Sequence, residues 1–494
     1  MRTIRALSAA ASLACLALAP VAQAQWSAPV TISMPHEFIG GFAGGLQAAG
    51  GLGGTLVSWT FQDGLGMHPT RGARAATARP GGAFGMERAL PASFLTGPMV
   101  SIGAGRLAQL ILTPRALNQT RPSVSLGSGA GGFGAPLPIR GTVYAGRSSL
   151  AGNVYGDLLA SWIAADVHGG HRVVWASMRR AGGAFAPPEV LARGTSAEGV
   201  SAAIGRSGRM VVVFDSGRGR LRARMRDAHG GWGTTRDLGT AAIHTENDVT
   251  PFVSCIGEVV VAWYHTQLCE GGCVSPGYID VAVRPAAGRD FIATRVLERD
   301  ATGIQGAPAG VSLAPVILEV PWFAPRIAFL ASSGRAAPGS PPNPTAVRVS
   351  HPNGAGYLAS GSRYSTPLTL SPPGEQASGL AGVAGMDGEL LTWIRQDPPG
   401  YFDGTVFASV TPFTLPTGRF GAPEQVSPSE NVSTVRAAFD SASRWPQNPI
   451  VPWTLAWTAR PAGEGPGVSV RTLVRVSAPL CSPPRPDPAC AGAG

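Results

Sequence analysis

A short pattern of apolar and polar positions recurs along this chain and predicts repeated units of antiparallel β-strand. In the clearest copy, a Gly-polar turn precedes an apolar run that ends in Trp263, and an alternating run then covers Tyr278 to Arg284. Short apolar runs bounded by glycine turns are typical of strands. The residues that close the first run in each copy are Trp59, Leu110, Trp162, Phe214, Trp263, Phe329, Trp393 and Trp457. They lie about 50 residues apart up to Trp263 and about 65 residues apart beyond it, which indicates a repeat architecture.

A second marker predicts an outer strand in each unit and indicates how the array closes. In every unit but the last, an aromatic residue follows a Gly-rich turn: Phe84, Phe133, Phe185, Trp232, Phe291, Tyr364 and Phe420. The last unit lacks this strand, whereas Trp26 to Ile32 at the other end of the chain has the matching pattern. A circular array can take its last strand from the opposite terminus, because this removes an exposed edge. The sequence therefore predicts an all-β fold, a β-propeller of about eight (alternatively seven) four-stranded blades closed by an N-terminal strand.

The N-terminus has the pattern of an export signal. Arg2 and Arg5 precede an uncharged apolar run from Ala6 to Ala19, and Ala22-Gln23-Ala24 matches a small-x-small cleavage site. This run is shorter than the roughly 20 residues that a membrane helix needs. The pattern predicts cleavage before Gln25 and release without membrane insertion.

The predicted organisation has three parts: a signal peptide over residues 1–24, the β-propeller over residues 25–478 and a Pro-rich C-terminal tail over residues 479–494. The mature protein is expected to be secreted and extracellular or associated with the cell envelope, and to be a monomer.

Composition and charge agree with a turn-dense β protein. The chain has 67 Gly, 44 Pro and only 14% charged residues, a balance that suits short strands joined by turns. Its formal net charge of +10 comes from arginine, since the sequence contains no lysine. These arginines are mostly scattered, whereas a nucleic-acid-binding surface needs clustered positive charge. Nucleic acid is therefore not an expected partner.

The cysteines suggest disulfides, which an exported protein can keep. Cys269 and Cys273 can close a tight loop, and Cys481 with Cys490 can pin the tail. The alternative, a metal site at Cys269 and Cys273, lacks a second ligand pair nearby, so no metal is expected. Cys255 lies in an apolar strand pattern and is predicted to be a buried free thiol.

The repeated unit resembles those of sialidase-like and BNR-type β-propellers and of secreted bacterial repeat proteins related to them. Those repeats carry an Asp-box, broadly Ser-x-Asp-x-Gly-x-x-Trp, on the hairpin before the outer strand. The equivalent segments here run from Arg179 to Phe185 and from Arg226 to Trp232. They keep the glycines and the aromatic residue but not the Ser-x-Asp pair. The resemblance therefore implies the fold rather than an activity.

Acidic residues and histidines collect in loops that are predicted to share one face of the propeller. In a four-stranded blade, the loop after the second strand and the loop between blades open on the same side. The candidate ligand-binding residues after the second strands are Asp63, Asp166, His168, Asp215, His265 and Asp397. The loops between blades add His36 with Glu37, Glu198, His244 with Glu246 and Asp248, and Glu430. The alternative interpretation is that these polar residues only cap solvated loops.

Arginines and tryptophans at regular positions offer further candidates. Arg220, Arg222, Arg224 and Arg226 alternate along one strand and so point to one side. They could bind an anionic sugar, but the favoured interpretation packs their stems on a blade surface with their charged groups in water. The tryptophans of the repeat register are expected to pack between blades. Trp175 and Trp445 lie outside that register and are better ligand candidates.

No recognisable catalytic set or cofactor motif accompanies the repeats. Gly127-x-Gly129-x-x-Gly132 matches a dinucleotide fingerprint in letters, but the following Phe133-Gly134-Ala135-Pro136 cannot open the helix that this motif requires. We therefore expect no cofactor, no catalytic residue and no metal. The favoured function is a non-enzymatic binding or scaffold protein whose extracellular ligand is a glycan, a cell-wall component or a protein. The alternatives are a sialidase-like glycoside hydrolase that uses carboxylates such as Asp63, Asp215 or Asp397, and a purely structural surface protein.

Overall fold

The computed structural model describes the chain between residues 26 and 476, with gaps. The residues outside the description are 1–25, 37, 40–44, 52–53, 65–69, 81, 91–94, 104–105, 117–118, 129–131, 141–142, 145–147, 166–170, 196, 217–218, 241–248, 269–273, 289, 298–314, 319–324, 333–344, 353–363, 386–387, 397–403, 413–418, 429, 440–451, 461–467 and 477–494. The predicted signal peptide and the Pro-rich tail both fall there. The described residues form strands and turns, with no helix that could span a bilayer.

The strands make up eight antiparallel sheets, which we number as blades 1 to 8. The strands up to the end of blade 4 are β1 (Val30–Thr31); β2 (Phe38–Ile39), β3 (Leu46–Gly51), β4 (Gly54–Asp63), β5 (Thr70–Ala78) and β6 (Arg88–Ala89) in blade 1; β7 (Leu95–Ile102), β8 (Arg106–Ala116), β9 (Gln119–Ser128), β10 (Gly132–Phe133), β11 (Leu137–Pro138) and β12 (Val143–Tyr144) in blade 2; β13 (Ser148–Gly152), β14 (Leu158–Ala165), β15 (Arg172–Arg179) and β16 (Glu189–Thr195) in blade 3; and β17 (Val200–Ile204), β18 (Met210–Asp215), β19 (Arg220–Arg226) and β20 (Arg236–Thr240) in blade 4. The remaining strands are β21 (Val249–Val253), β22 (Val259–Leu268), β23 (Val274–Arg284) and β24 (Ile292–Leu297) in blade 5; β25 (Val316–Leu318), β26 (Arg326–Ser332), β27 (Thr345–Ser350) and β28 (Leu368–Thr369) in blade 6; β29 (Gln376–Gly385), β30 (Gly388–Gln396), β31 (Gly404–Pro412) and β32 (Glu424–Gln425) in blade 7; and β33 (Asn431–Phe439), β34 (Pro452–Arg460) and β35 (Ser469–Val476) in blade 8, which β1 completes.

The blades form a closed ring through their innermost strands. These strands are β3, β7, β13, β17, β21, β25, β29 and β33. Each contacts the innermost strand of the next blade, and β33 contacts β3 again. The other strands follow outward in chain order, with β10, β11 and β12 together forming the outer edge of blade 2. The chain is therefore an eight-bladed β-propeller. The sequence predicted eight or, alternatively, seven blades, and eight is confirmed.

The second strand of each blade is apolar on both sides because a neighbouring blade covers each side. All of β18 is buried. Its Val212 and Phe214 pack with blade 3, whereas Val211 and Val213 pack with Val259 and other residues of blade 5. Side chains that alternate along this strand therefore pack into two different cores, one on each side of the sheet, instead of one core and one solvated face.

The predicted repeat register is confirmed by the second strands. The closing residues Trp59, Leu110, Trp162, Phe214, Trp263, Phe329, Trp393 and Trp457 all lie in these strands, and each is at most 2% exposed. The five tryptophans therefore fill space between blades, as predicted. Trp175 is half-buried opposite Trp162 and packs on the same core, whereas Trp445 lies outside the described residues.

The predicted closing strand is also confirmed. Val30 pairs with Thr472 and Trp26 with Arg475, so the N-terminal segment completes the sheet of blade 8. Backbone hydrogen bonds hold this segment along its whole length. At one end the Ser27 N–H donates to the Val474 carbonyl (2.9 Å), and at the other the His36 N–H donates to the Val468 carbonyl (2.9 Å).

The prediction for the arginines of β19 is only partly correct. Leu221 and Ala223 are buried and the arginines lie on the other side of the strand. Arg220 forms an exposed ion pair with Asp237, as a solvated group would. Arg224, however, donates to the carbonyls of Val190 (3.3 Å) and Leu191 (2.9 Å) in blade 3. Its guanidinium joins two blades instead of lying in water.

The prediction for Cys255 is wrong. The residue is buried, as expected, but it is disulfide-bonded and not a free thiol. Each of the other cysteines lies outside the described residues, so the pairings predicted for Cys269 with Cys273 and Cys481 with Cys490 also fall there.

Candidate functional site

The face where second strands end and innermost strands begin carries several charged side chains, and we call it the rim face. The register places these ends together, since Val200 pairs with Phe214 and Gln376 with Gln396. Asp63 and Asp215 end β4 and β18 on this face, and His265 lies in β22 opposite Tyr278. The other candidates, Asp166, His168 and Asp397, lie outside the described residues, as do Glu37, His244, Glu246 and Asp248 of the loops between blades.

Asp63 contacts a buried histidine of the closing segment. The His36 Nδ1 atom lies 2.9 Å from Asp63 Oδ2 and 3.2 Å from Oδ1. The His36 ring is 6% exposed and stacks on Phe61 with a centroid distance of 4.2 Å, while the Arg74 guanidinium lies over the same phenyl ring. Because the His36 backbone is bonded to Val468 of blade 8, this contact ties the closing segment to blade 1.

In three blades, a glutamate lies one or two residues before the innermost strand, and each of these glutamates pairs with an arginine. Glu198, before β17, lies 3.5 Å from Arg172 at the start of β15. Glu375, before β29, lies 3.1 Å from Arg395 near the end of β30. The pairs are partly exposed: the side chains of Arg172 and Glu198 are 29% and 32% exposed. Both charges are therefore within reach of solvent.

The third of these glutamates is buried in blade 8. Glu430, before β33, accepts a hydrogen bond from the Trp457 indole N–H (2.7 Å) and lies 3.3 Å from Arg471. Its burial and its bond to a core tryptophan give it a structural role at the rim face.

Asp215 is placed differently from Asp63. Its residue is 2% exposed, and its backbone N–H donates to the Gly199 carbonyl at 3.2 Å. The carboxylate thus lies below the surface, whereas the Asp63 side chain is 42% exposed. Of the two, Asp63 is placed to reach a ligand in solution.

Sequence reasoning identified Glu198 and Glu430 but missed Glu375 and all of the arginine partners. A glutamate directly before an innermost strand was the available signal for Glu375. The arginines could not be assigned in this way, because Arg172 starts a third strand of the preceding blade and Arg395 lies in a second strand of the same blade.

The described part of the rim face offers paired charges and hydrogen-bonding groups. The described carboxyl with a raised pKa is Glu389, whose pKa burial raises to about 7 although Arg326 opposes the shift. Glu389 lies at the start of β30, on the opposite face of the ring. Within the described part of the chain, no group of three or more His, Cys, Asp or Glu residues could hold a metal ion.

Comparisons with known proteins add several distant structural likenesses. No protein-family model and no curated protein matches the sequence. Among solved structures, an ulvan lyase of polysaccharide lyase family PL25 matches with TM-score 0.40 and 10% identity, over 74% of this chain and 89% of the lyase. The N11 neuraminidase-like protein of A/flat-faced bat/Peru/033/2010 (H18N11) matches with TM-score 0.37 and 9% identity, over 92% of this chain and 98% of that protein. A puromycin hydrolase matches with TM-score 0.41 and 14% identity, over 86% and 60%.

The likenesses are too distant to carry an activity from one protein to the other. The fold rests on the strand register of this chain, which is that of an eight-bladed β-propeller closed by its own N-terminal strand.

Proposed function

We propose that this protein is a secreted, non-enzymatic β-propeller that binds an extracellular glycan through its rim face. The observation that carries the proposal is the set of partly exposed ion pairs, in which Glu198 meets Arg172 and Glu375 meets Arg395. Opposite charges held side by side offer both acceptors and donors to the hydroxyl groups of a sugar. Asp63, half-exposed at the end of β4, adds a further acceptor.

The same pairs favour binding over hydrolysis. A glycosidase needs one carboxyl that stays protonated near neutral pH and a second carboxylate beside it. Among the described residues of the rim face, the charged group beside each of Glu198, Glu375 and Glu430 is an arginine and not a second carboxylate. Groups held in this way can orient a ligand.

The test combines a glycan array with a panel of fluorogenic glycosides, using the chain that starts at Gln25. We expect binding to at least one glycan without turnover of any glycoside. The variant Glu198→Gln removes one charge from the rim face with little change in shape. It should weaken the affinity for the glycan about tenfold, since hydrogen bonds to charged groups contribute about 1.5–3 kcal/mol.

A matched control is Asp290→Asn, which neutralises the carboxylate of an exposed ion pair with Arg236 on the outside of the ring. It should leave glycan affinity unchanged. Glycoside turnover would contradict the proposal, as would an equal loss of affinity in Glu198→Gln and Asp290→Asn.

A further inference from the structure

The face opposite the rim face carries an exposed aromatic side chain among arginines. There the innermost strands of blades 3 and 4 turn into the second strands through tight hairpins. In blade 3 this hairpin exposes Val154 (48%) and Tyr155 (47%), and in blade 4 it exposes Arg206. We call Tyr155, Arg180 and Arg206 the hairpin patch.

Hydrogen bonds hold the hairpin of blade 3 in one conformation. The Asn153 Oδ1 atom accepts from the Tyr155 N–H (3.1 Å) and from the Asp157 N–H (3.0 Å). Gly156 closes the turn with a φ of +94°, which favours glycine. Tyr155 is therefore presented on a fixed backbone, so little conformational entropy is lost when a ligand packs on its ring.

The hairpins of neighbouring blades contact one another and make the patch continuous. The Asn153 Nδ2 atom donates to the Gly205 carbonyl (3.3 Å), which directly precedes Arg206. On the other side, the Gly103 N–H of blade 2 donates to the Asn153 carbonyl (3.1 Å). Tyr155 and Arg206 thus lie on adjoining turns that are bonded together.

Positive charge exceeds negative charge around Tyr155. Asp157 is the acidic residue of its hairpin, and its carboxylate is 11% exposed and already bound by Arg180, whose side chain is 42% exposed. The Arg106 guanidinium lies against Gly156, since a Cβ there would be 3.1 Å from its Nη2 atom. Within the described residues, neither Arg106 nor Arg206 forms an ion pair with a carboxylate.

The pKa of a neighbouring arginine agrees with this excess of positive charge. The pKa of Arg179 is lowered by burial and, secondly, by the charge of Arg106, while Asp157 opposes the shift. The charge of Arg106 therefore acts on Arg179, the residue next to Arg180 of the hairpin patch.

We propose that the hairpin patch binds an anionic polysaccharide, with Tyr155 packing on a sugar ring and Arg206 and Arg180 binding its carboxylate or sulfate groups. Aromatic rings combine a large apolar face with a polar edge, which suits the face of a pyranose. A guanidinium binds planar anions through two parallel hydrogen bonds. A single-stranded nucleic acid would instead need several aromatic rings along a basic groove. This inference concerns a different face from the proposed glycan site and does not depend on it.

The test measures the affinity of the full exported chain for polygalacturonate, heparin and uncharged dextran in physiological salt. Polygalacturonate carries carboxylates alone and heparin carries sulfates as well, so binding to heparin without polygalacturonate indicates a sulfate ligand. Either polyanion bound without dextran supports the proposal. Arg206→Ala should weaken that binding at least about tenfold. Tyr155→Ala should weaken it similarly, whereas Tyr155→Phe should retain it within about twofold, because the phenyl ring keeps the packing face.

The matched control is Arg88→Ala, which removes an exposed arginine in β6, the outer strand of blade 1. It lowers the net charge as much as Arg206→Ala does, and it should leave affinity within about twofold. Because Arg206 is exposed, its variant keeps the fold, which circular dichroism checks. The proposal is overturned if no polyanion binds, if dextran or a single-stranded oligonucleotide binds as tightly, or if Arg88→Ala loses as much affinity as Arg206→Ala.

Discussion

Arg326 and Glu389 form an ion pair that is buried between blades 6 and 7. Their side chains are 6% and 1% exposed, so both charges have left water. The cost of this transfer appears in the pKa of Glu389, which burial raises to about 7 despite the arginine. Such a pair adds little net stability, yet either partner alone would be a buried, unbalanced group.

This balance predicts different effects for single and double replacement of the pair. Glu389→Leu leaves the Arg326 guanidinium buried without its carboxylate and should lower the free energy of unfolding by about 3–5 kcal/mol. The double variant Arg326→Met and Glu389→Leu should recover most of that loss. Urea denaturation of the three proteins measures both values, and a double variant less stable than the single one would contradict the interpretation.

His351 predicts a specific dependence of stability on pH. Its pKa is lowered from 6.5 to about 4, mainly by burial and then by the charge of Arg326. Between these values the unfolded chain binds the proton and the folded chain does not. The contribution of His351 to stability is therefore present above pH 6.5 and is lost as the pH falls towards 4.

The variant His351→Gln should reduce this acid-side loss of stability, as measured by thermal unfolding at several pH values. Glu389 acts in the opposite direction. Because its pKa is raised in the folded protein, the folded state is favoured more as the pH falls from about 7 towards the pKa of this glutamate in the unfolded chain. A pH profile of His351→Gln that parallels the wild-type profile between pH 4 and 6.5 would contradict the assignment.

Between elements, arginines of third strands bridge to the outer strand of the preceding blade. Arg226 lies 2.6 Å from Glu189 at the start of β16, and Arg475 lies 3.6 Å from Glu424 at the start of β32. The two contacts occupy equivalent places in blades 3–4 and 7–8. Each glutamate directly follows a proline at the outer edge, so the repeat carries its own blade-to-blade contact.

The arginines of β19 allow a comparison within one strand. Arg224→Ala removes hydrogen bonds to the carbonyls of Val190 and Leu191 and should cost about 2 kcal/mol of stability. Arg220→Ala removes an exposed pair with Asp237 and should cost less than about 1 kcal/mol. The midpoints of urea unfolding give both values, and equal losses would show that the bridge between blades contributes nothing of its own.

The elements could be predicted from the sequence because each repeat carries the same local signals. Glycine turns and the aromatic ends of second strands depend on a few adjacent residues, and they located Trp59, Trp263 and the other equivalent positions correctly. The contacts of Arg224 and Glu198 could not be predicted, because their partners are set by which strands the ring places side by side. The same holds for the exposed Tyr155, since burial depends on the neighbouring blade.

At the scale of the whole molecule, one short segment closes the ring. Residues 26–36 complete blade 8 along β35, and Trp26 donates to Glu424 (3.2 Å) of blade 7 while the Arg475 guanidinium lies 5.3 Å from its ring centroid. Without this segment, β35 would present an unpaired edge, which is a site for association with other chains.

A chain that begins at Ser33 should therefore be less stable and more prone to aggregate than one that begins at Gln25. The expected signs are a lower melting temperature and larger species in size-exclusion chromatography. Val30→Ala in the longer chain is the control, because Val30 is 51% exposed and its backbone pairing is kept. A truncated chain that stays monomeric with an unchanged melting temperature would contradict the role of the segment.

The same closure has a consequence for the order of events during synthesis. The Ser33 hydroxyl accepts a hydrogen bond from the Val470 N–H, a partner 437 positions further along the chain. The closing segment is made long before β35, and the two can pair only after the seven blades between them have been made. Blades 1 to 7 can form one after another as they emerge, but the last blade waits for both termini. The closing segment must therefore wait without its β35 partner while the blades between them are made.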